Sequence, residues 1–160
     1  MPRKSDPSGE TKGRKPRSNA DANVVQQAQR HNRIRKDHKA EIAEDYVETI
    51  SQLIRTHGEA RTVDLARRLG VSHVTVTKTI SRLQHDGLVR SEPYRSIFLT
   101  SNGEELAKKS EDRHRLIVAF LRKIGVSAAD AETDAEGIEH HVSEATISAM
   151  RRFVDPATTL

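Results

Sequence analysis

Two groups of acidic and imidazole side chains in this 160-residue sequence are spaced so that they could hold a divalent cation. Asp45 and Glu48 are three residues apart, and on a helix that separation puts two carboxylates on neighbouring turns of one face, within reach of a common ion. Such pairs also occur by chance on solvated helix surfaces. The segment EGIEHH is more pointed: Glu136, Glu139 and His140 stand at i, i+3 and i+4, so three ligand-type groups meet on one side of a helix. His114 adds an imidazole within another helical stretch, where by itself it reads as solvent-facing or hydrogen-bonded. His141 follows His140 but is rotated by about 100° on a continuing helix, which gives it a structural or supporting place. The chain has no cysteine, so there is no disulfide framework, zinc ribbon or thiol chemistry. A donor set of oxygen and imidazole nitrogen favours Mn(II) or Fe(II) over Cu(I), with Zn(II) and Co(II) also able to bind.

The elements that must carry these groups follow from apolar periodicity. Ile42, Tyr46, Ile50, Leu53 and Ile54 recur at steps of three and four, predicting a helix from Ala40 to near Gly58. Thr62 is expected to cap a short helix through Leu69, Gly70 to supply a tight turn, and Ser72 to cap a second helix reaching Asp86. LVRSE and SIFLT then flank Pro93, Tyr94 and Arg95, which reads as two short strands around a basic turn. Ser101 and Glu104 have capping-box spacing and open a long helix through about Ile124. Leu106, Leu116, Ile117, Phe120 and Leu121 are its apolar positions, and Gly125 can end it. Ser127 begins a helix across AADAETDAEGIEHH, and Ser143 begins a last one holding Ile147, Met150 and Phe153.

Two short helices around a glycine turn, followed by a hairpin, form a winged helix-turn-helix. Val63, Leu65, Ala66 and Leu69 on the first helix and Val74, Val76, Ile80 and Leu83 on the second hold the pair together. That leaves His73, Thr75, Thr77, Lys78, Ser81 and Arg82 available to a major groove, with Arg95 at the wing tip placed for backbone or minor groove. Charge agrees with a polyanion partner. The net charge is +4, and the excess is at the front: residues 1–40 carry 11 Lys/Arg against 4 Asp/Glu, whereas residues 101–160 carry 8 against 11.

Aromatic residues make up 3% of the chain and tryptophan is absent, so the core must be built from Leu, Ile, Val and Ala, which suits packed helices. The fold class expected is mainly α. A basic, largely disordered extension would span residues 1–39, a winged helix-turn-helix with a small β-hairpin wing residues 40–100, and an all-helical metal-binding and dimerisation subdomain residues 101–155. No apolar run approaches a membrane span and the N-terminus lacks a signal-peptide core, so a cytosolic protein is expected. With no glycine-rich phosphate loop and no nucleophile–base pair, an enzyme has little support.

The motifs EDYVETISQLI at 44–54, LGVSHVTVTKTISRL at 69–83, FLTSNGEELA at 98–107, RHRLIVAFL at 113–121 and DAEGIEHHVS at 134–143 resemble, in order and spacing, the manganese-responsive branch of the diphtheria-toxin-repressor family. The resemblance covers about residues 40–153. It implies metal ligands at Asp45, Glu48, His114, Glu136, Glu139 and His140 in a paired site holding two Mn(II) per subunit, with Glu139 able to ligate through its backbone carbonyl as well. It also implies a homodimer on operator DNA that represses manganese uptake genes when Mn(II) is plentiful. The iron-responsive branch usually has methionine where Glu48 stands, and a second hard oxygen there points to manganese. Iron-branch members often append an SH3-like domain, and a chain ending soon after the sixth helix agrees with the manganese branch. Fe(II) in the same role, and a metal-independent winged-helix regulator, remain the alternatives.

Overall fold

The computed structural model describes residues 19–91 and 96–155, and the chain forms two compact units, residues 1–36 and 37–160. The described part of the first unit belongs to helix α1 (Asn19–His57), with Gln26, Gln27 and Gln29 exposed. Helix therefore begins well before Ala40, and the expectation of a largely disordered extension over 1–39 does not hold for residues 19–39. The physical reason is local: that stretch contains neither Gly nor Pro and is rich in Ala, Gln, Arg and Lys, all good helix formers, so the backbone continues without an apolar stripe. Residues 1–18 lie outside the described residues.

In the second unit, Tyr46, Val47, Ile50 and Leu53 of α1 are buried, and Gly58 ends the helix at φ 80°. Helix α2 (Thr62–Leu69) starts one residue earlier than a Thr62 cap requires: Arg61 is the N-cap and makes no side-chain capping bond. Gly70, at φ 66°, makes the left-handed turn that a side chain would strain. Helix α3 (His73–His85) is capped by Ser72, whose hydroxyl accepts from the Thr75 amide. Leu65, Ala66, Val76, Ile80 and Leu83 seal α2 and α3 against α1.

The wing is short. Strands β1 (Val89–Arg90) and β2 (Phe98–Leu99) pair antiparallel, Val89 opposite Leu99, and Ile97 bridges to Ala60 beside α2. The turn residues Pro93, Tyr94 and Arg95 lie outside the described residues. Helix α4 (Ser101–Lys123) is capped by Thr100 rather than Ser101; the Thr100 hydroxyl accepts from the Gly103 amide and donates to the Gly87 carbonyl. Gly103 is there because a Cβ would stand 2.0 Å from the Leu88 carbonyl oxygen, so the wing and the start of α4 approach backbone to backbone.

Ala107 of α4 belongs to the core just described, whereas Ile117 and Leu121, further along, face a second core. Helix α5 (Ala128–Ile138), capped by Ser127, contributes the small buried Ala131 and Ala135. Helix α6 (Glu144–Val154), capped by Ser143, contributes Ile147. The fold is thus a helix-turn-helix with a small wing followed by an all-helical body, and one long helix serves both cores.

Candidate metal centre and nucleic-acid interface

Helix α5 stops at Ile138, so the expected single helical face across EGIEHH is interrupted: Glu139 is its C-cap, still at φ −58° and ψ −31°, and His140 and His141 lie in the turn after it. Gly137 and the imidazole-rich end carry little helix propensity, and the turn lets His140 reach α1. His140 Nδ1 lies 3.0 Å from Glu44 Oε2, and its Nε2 is 3.4 Å from both Asp45 Oδ1 and Glu139 Oε1. His114, from the middle of α4, places Nδ1 2.8 Å from Glu139 Oε2. Glu48 accepts from the buried Ser110 hydroxyl at 3.2 Å. Glu136 is exposed, yet its charge acts on Asp45, Glu48 and Glu139. All six candidate ligands therefore share one neighbourhood between α1, α4 and the end of α5. His141 instead faces Glu41, with Nδ1 3.4 Å from Oε1.

Electrostatics show what this neighbourhood lacks. Burial pushes the Asp45, Glu48 and Glu139 carboxyls above the usual carboxylate range, and neighbouring carboxylates push the same way, Glu136 acting on all three. Glu139 is 3% exposed, and His114 and His140 partly offset its charge. Burial works against a charged His114, but its bonds to Glu132 and Glu139 outweigh this and leave its pKa raised. A mutually repelling set of hard oxygen donors, Glu139 buried and Glu48 partly so, with two imidazoles fits a divalent cation, whose charge would relieve the repulsion. Among the described residues no three of these side chains stand close enough to form a ready cage, because the imidazoles are turned onto carboxylate oxygens.

On α3, His73, Thr75, Thr77, Lys78 and Ser81 are exposed and Arg82 is partly so. The Thr77 hydroxyl donates to the His73 carbonyl and Thr75 Oγ1 meets Ser72 Oγ at 2.9 Å, so both hydroxyls are engaged within the start of α3. Val74 is a correction: read as a packing residue, it is 63% exposed, as Val63 is at 41%. It sits in the first turn of α3, beside the exposed His73. Arg95 lies outside the described residues.

Residues 40–97 match the family profile described as "Iron dependent repressor, N-terminal DNA binding domain", and residues 100–159 match "Iron dependent repressor, metal binding and dimerisation domain". The chain belongs to the iron-dependent repressor family. Among its relatives, the protein named "Transcriptional regulator MntR" from Escherichia coli O6:H1 is 50% identical over 131 residues, covering 82% of this chain and 84% of its own length. The "HTH-type transcriptional regulator MntR" of Bacillus subtilis is 44% identical over 100 residues, or 62% of this chain and 70% of that protein. A solved "Manganese-dependent transcriptional repressor complex with manganese" superposes with a TM-score of 0.63 at 30% identity, covering 70% of this chain. This chain spans about half of that solved chain, 52% of its length. Membership makes this chain a transcriptional regulator with a winged DNA-binding head rather than an enzyme. No described helix is long and apolar enough to cross a membrane.

Sequence reading missed Glu44, Ser110, Arg113 and Glu132, which surround the candidate ligands. Glu44 carried a usable signal, since Glu41, Glu44, Asp45 and Glu48 recur at steps of three and four along one face of α1.

Proposed function

We propose that this chain is a manganese-dependent repressor in which Mn(II), held by Asp45, Glu48, His114, Glu136, Glu139 and His140, ties the DNA-reading head to the helical body. The observation that carries this reading is the approach of His140 to Asp45, because it joins the turn after α5 to the helix that underlies α3. A divalent cation, when bound, supplies the positive charge that the Asp45, Glu48 and Glu139 carboxylates otherwise lack. The protein's own part is positional: α1 is packed against α2 and α3 through Val47, Ile50 and Leu53, so whatever fixes Asp45 and Glu48 fixes the recognition helix with them.

The names of its relatives support manganese as the metal, and so does Glu48, a hard oxygen donor. Two such heads in a homodimer meet successive major grooves about 34 Å apart or a multiple of that. His73, Thr75, Thr77, Lys78, Ser81 and Arg82 contact the groove and its phosphates, and Val74 can pack on a thymine methyl. The exposed Ile124 and Phe153, beside the edge-to-face Phe120–Phe153 pair, offer an apolar face for the second subunit. By linkage, metal strengthens DNA binding only as far as the DNA-competent arrangement binds metal better.

The test is operator binding by fluorescence anisotropy, using a manganese-transporter promoter under anaerobic conditions with Mn(II), Fe(II) or no metal. Binding that rises with Mn(II) more than with Fe(II) is expected. Unchanged manganese dependence in Glu48→Ala and His114→Ala proteins would sink the coupling.

A further inference from the structure

His140 and His114 each have a carboxylate near both ring nitrogens, and in both cases one of these is outside the six candidate ligands. His140 turns Nδ1 to Glu44 Oε2 at 3.0 Å and Nε2 to Asp45 and Glu139. Glu44 is itself held, since Arg113 Nη2 donates to the same Oε2; both side chains are 15% exposed and His140 is 13% exposed. His114 repeats the pattern with its nitrogens exchanged: Nδ1 meets Glu139, and Nε2 lies 3.0 Å from Glu132 Oε2 on the outer side.

An ionised carboxylate only accepts hydrogen bonds, so the nitrogen against it carries the hydrogen. A neutral imidazole has a single N–H. Glu44 therefore keeps the hydrogen of His140 on Nδ1 and leaves the Nε2 lone pair directed at Asp45 and Glu139. His114 is not fixed in this way: both of its nitrogens are hydrogen-bonded to carboxylates, Nδ1 more closely than Nε2, so nothing outside the candidate ligands selects one of them. We infer that Glu44, locked by Arg113, is a positioning residue that selects the metal-facing nitrogen of His140. The inference rests on the proposed reading of His140 as a ligand. The bonds of Glu44 are shielded from water, whereas Glu132 beside His114 is 64% exposed. The alternative is a plain ion pair: Arg113 already neutralises Glu44, and a pair serving only stability leaves the His140 hydrogen wherever solution chemistry puts it, which for free imidazole side chains is mainly Nε2.

The test uses the full chain. Imidazole nitrogen NMR of the metal-free protein at about pH 8, above the usual imidazole range, reads the hydrogen position directly. Calorimetric Mn(II) titration of the wild type, Glu44→Ala, Glu44→Gln and Glu139→Ala reads affinity. The expected wild-type result is hydrogen on Nδ1 of His140, moving to Nε2 in Glu44→Ala with Mn(II) binding about 10–100-fold weaker. Glu44→Gln, whose amide oxygen still accepts, should retain the Nδ1 hydrogen and recover part of the affinity. Hydrogen on Nε2 of His140 in the wild type overturns the inference even if no variant folds. Wild-type affinity in Glu44→Ala beside a loss in Glu139→Ala overturns it alone, while wild-type affinity in both variants overturns the ligand assignment as well.

Discussion

The DNA-reading head and the candidate metal centre share helix α1 but hold it by opposite means. One face of α1 is sealed by Val47, Ile50 and Leu53 against Leu65, Val76 and Leu83, apolar groups that gain by leaving water whatever the ionic conditions. The other face meets α4 and the end of α5 through charge: Glu44 with Arg113 and His140, Glu48 with Ser110, and Arg55 with Glu111, where Nη1 lies 3.1 Å from Oε2. The head is built to be permanent. The centre carries burial and repulsion that favour a cation, so its strength depends on what is bound. A sensor needs both kinds of joint, because a head that loosened with its metal would have no shape to offer DNA.

Breaking the apolar joint should have the largest effect. Leu83 is fully buried in α3, and Leu83→Ala should lose about 2–5 kcal/mol of stability in urea unfolding, equally with and without Mn(II). A loss that vanished on adding Mn(II) would contradict the division drawn here. Glu139→Ala should do the reverse: Mn(II) affinity falls by about 100-fold or more, the upper end for an outer partner, while the metal-free melting temperature does not drop, because a buried carboxylate with a raised pKa has gone. A fall in the metal-free melting temperature comparable to that of Leu83→Ala would argue that Glu139 is structural.

Gly103→Ala tests the place where the regions join. Its Cβ would run into the Leu88 carbonyl, so a cost of about 1–3 kcal/mol is expected by chemical unfolding, with Mn(II) affinity unchanged. The smallest effect is pH. Asp45, Glu48 and Glu139 have folded pKa values above their unfolded ones, as His114 does. Each contributes stability below its unfolded pKa and loses it as pH rises through the raised value, so the metal-free melting temperature should decline as pH rises out of the usual carboxylate range and on through the usual imidazole range. Metal requires the deprotonated ligands, so the Mn(II)-induced gain should grow over the same interval. Parallel changes with and without metal would show that these groups do not govern binding.

Much of the head was legible in sequence because its signals are local. Ser72 as a cap, Gly70 as a left-handed turn and the alternation of Val76, Ile80 and Leu83 each depend on neighbours within a few residues. The failures there were local as well: Thr62 and Ser101 resemble caps, but Arg61 and Thr100 occupy the positions where the backbone enters its helix. Val74 looked like core because it is apolar, and periodicity cannot tell a packed first turn from one that projects past its partner. The early start of α1 was missed because propensity, without an apolar stripe, is a weak signal.

By itself the sequence determined the inventory: the order of the helices, a wing, hard oxygen and imidazole donors without sulfur, and the spacings that put Asp45 with Glu48 and Glu136 with Glu139. Tertiary structure decided which donors meet. Asp45 and His140 are far apart in the chain, and only the packing of α1 against α4 and the turn after α5 brings them to 3.4 Å. It also decided which carboxylates face the ring nitrogens from outside, Glu44 and Glu132. Spacing fixes neighbours on one helix, but contacts between helices depend on crossing angles and on where a helix stops, and those are set by the whole core.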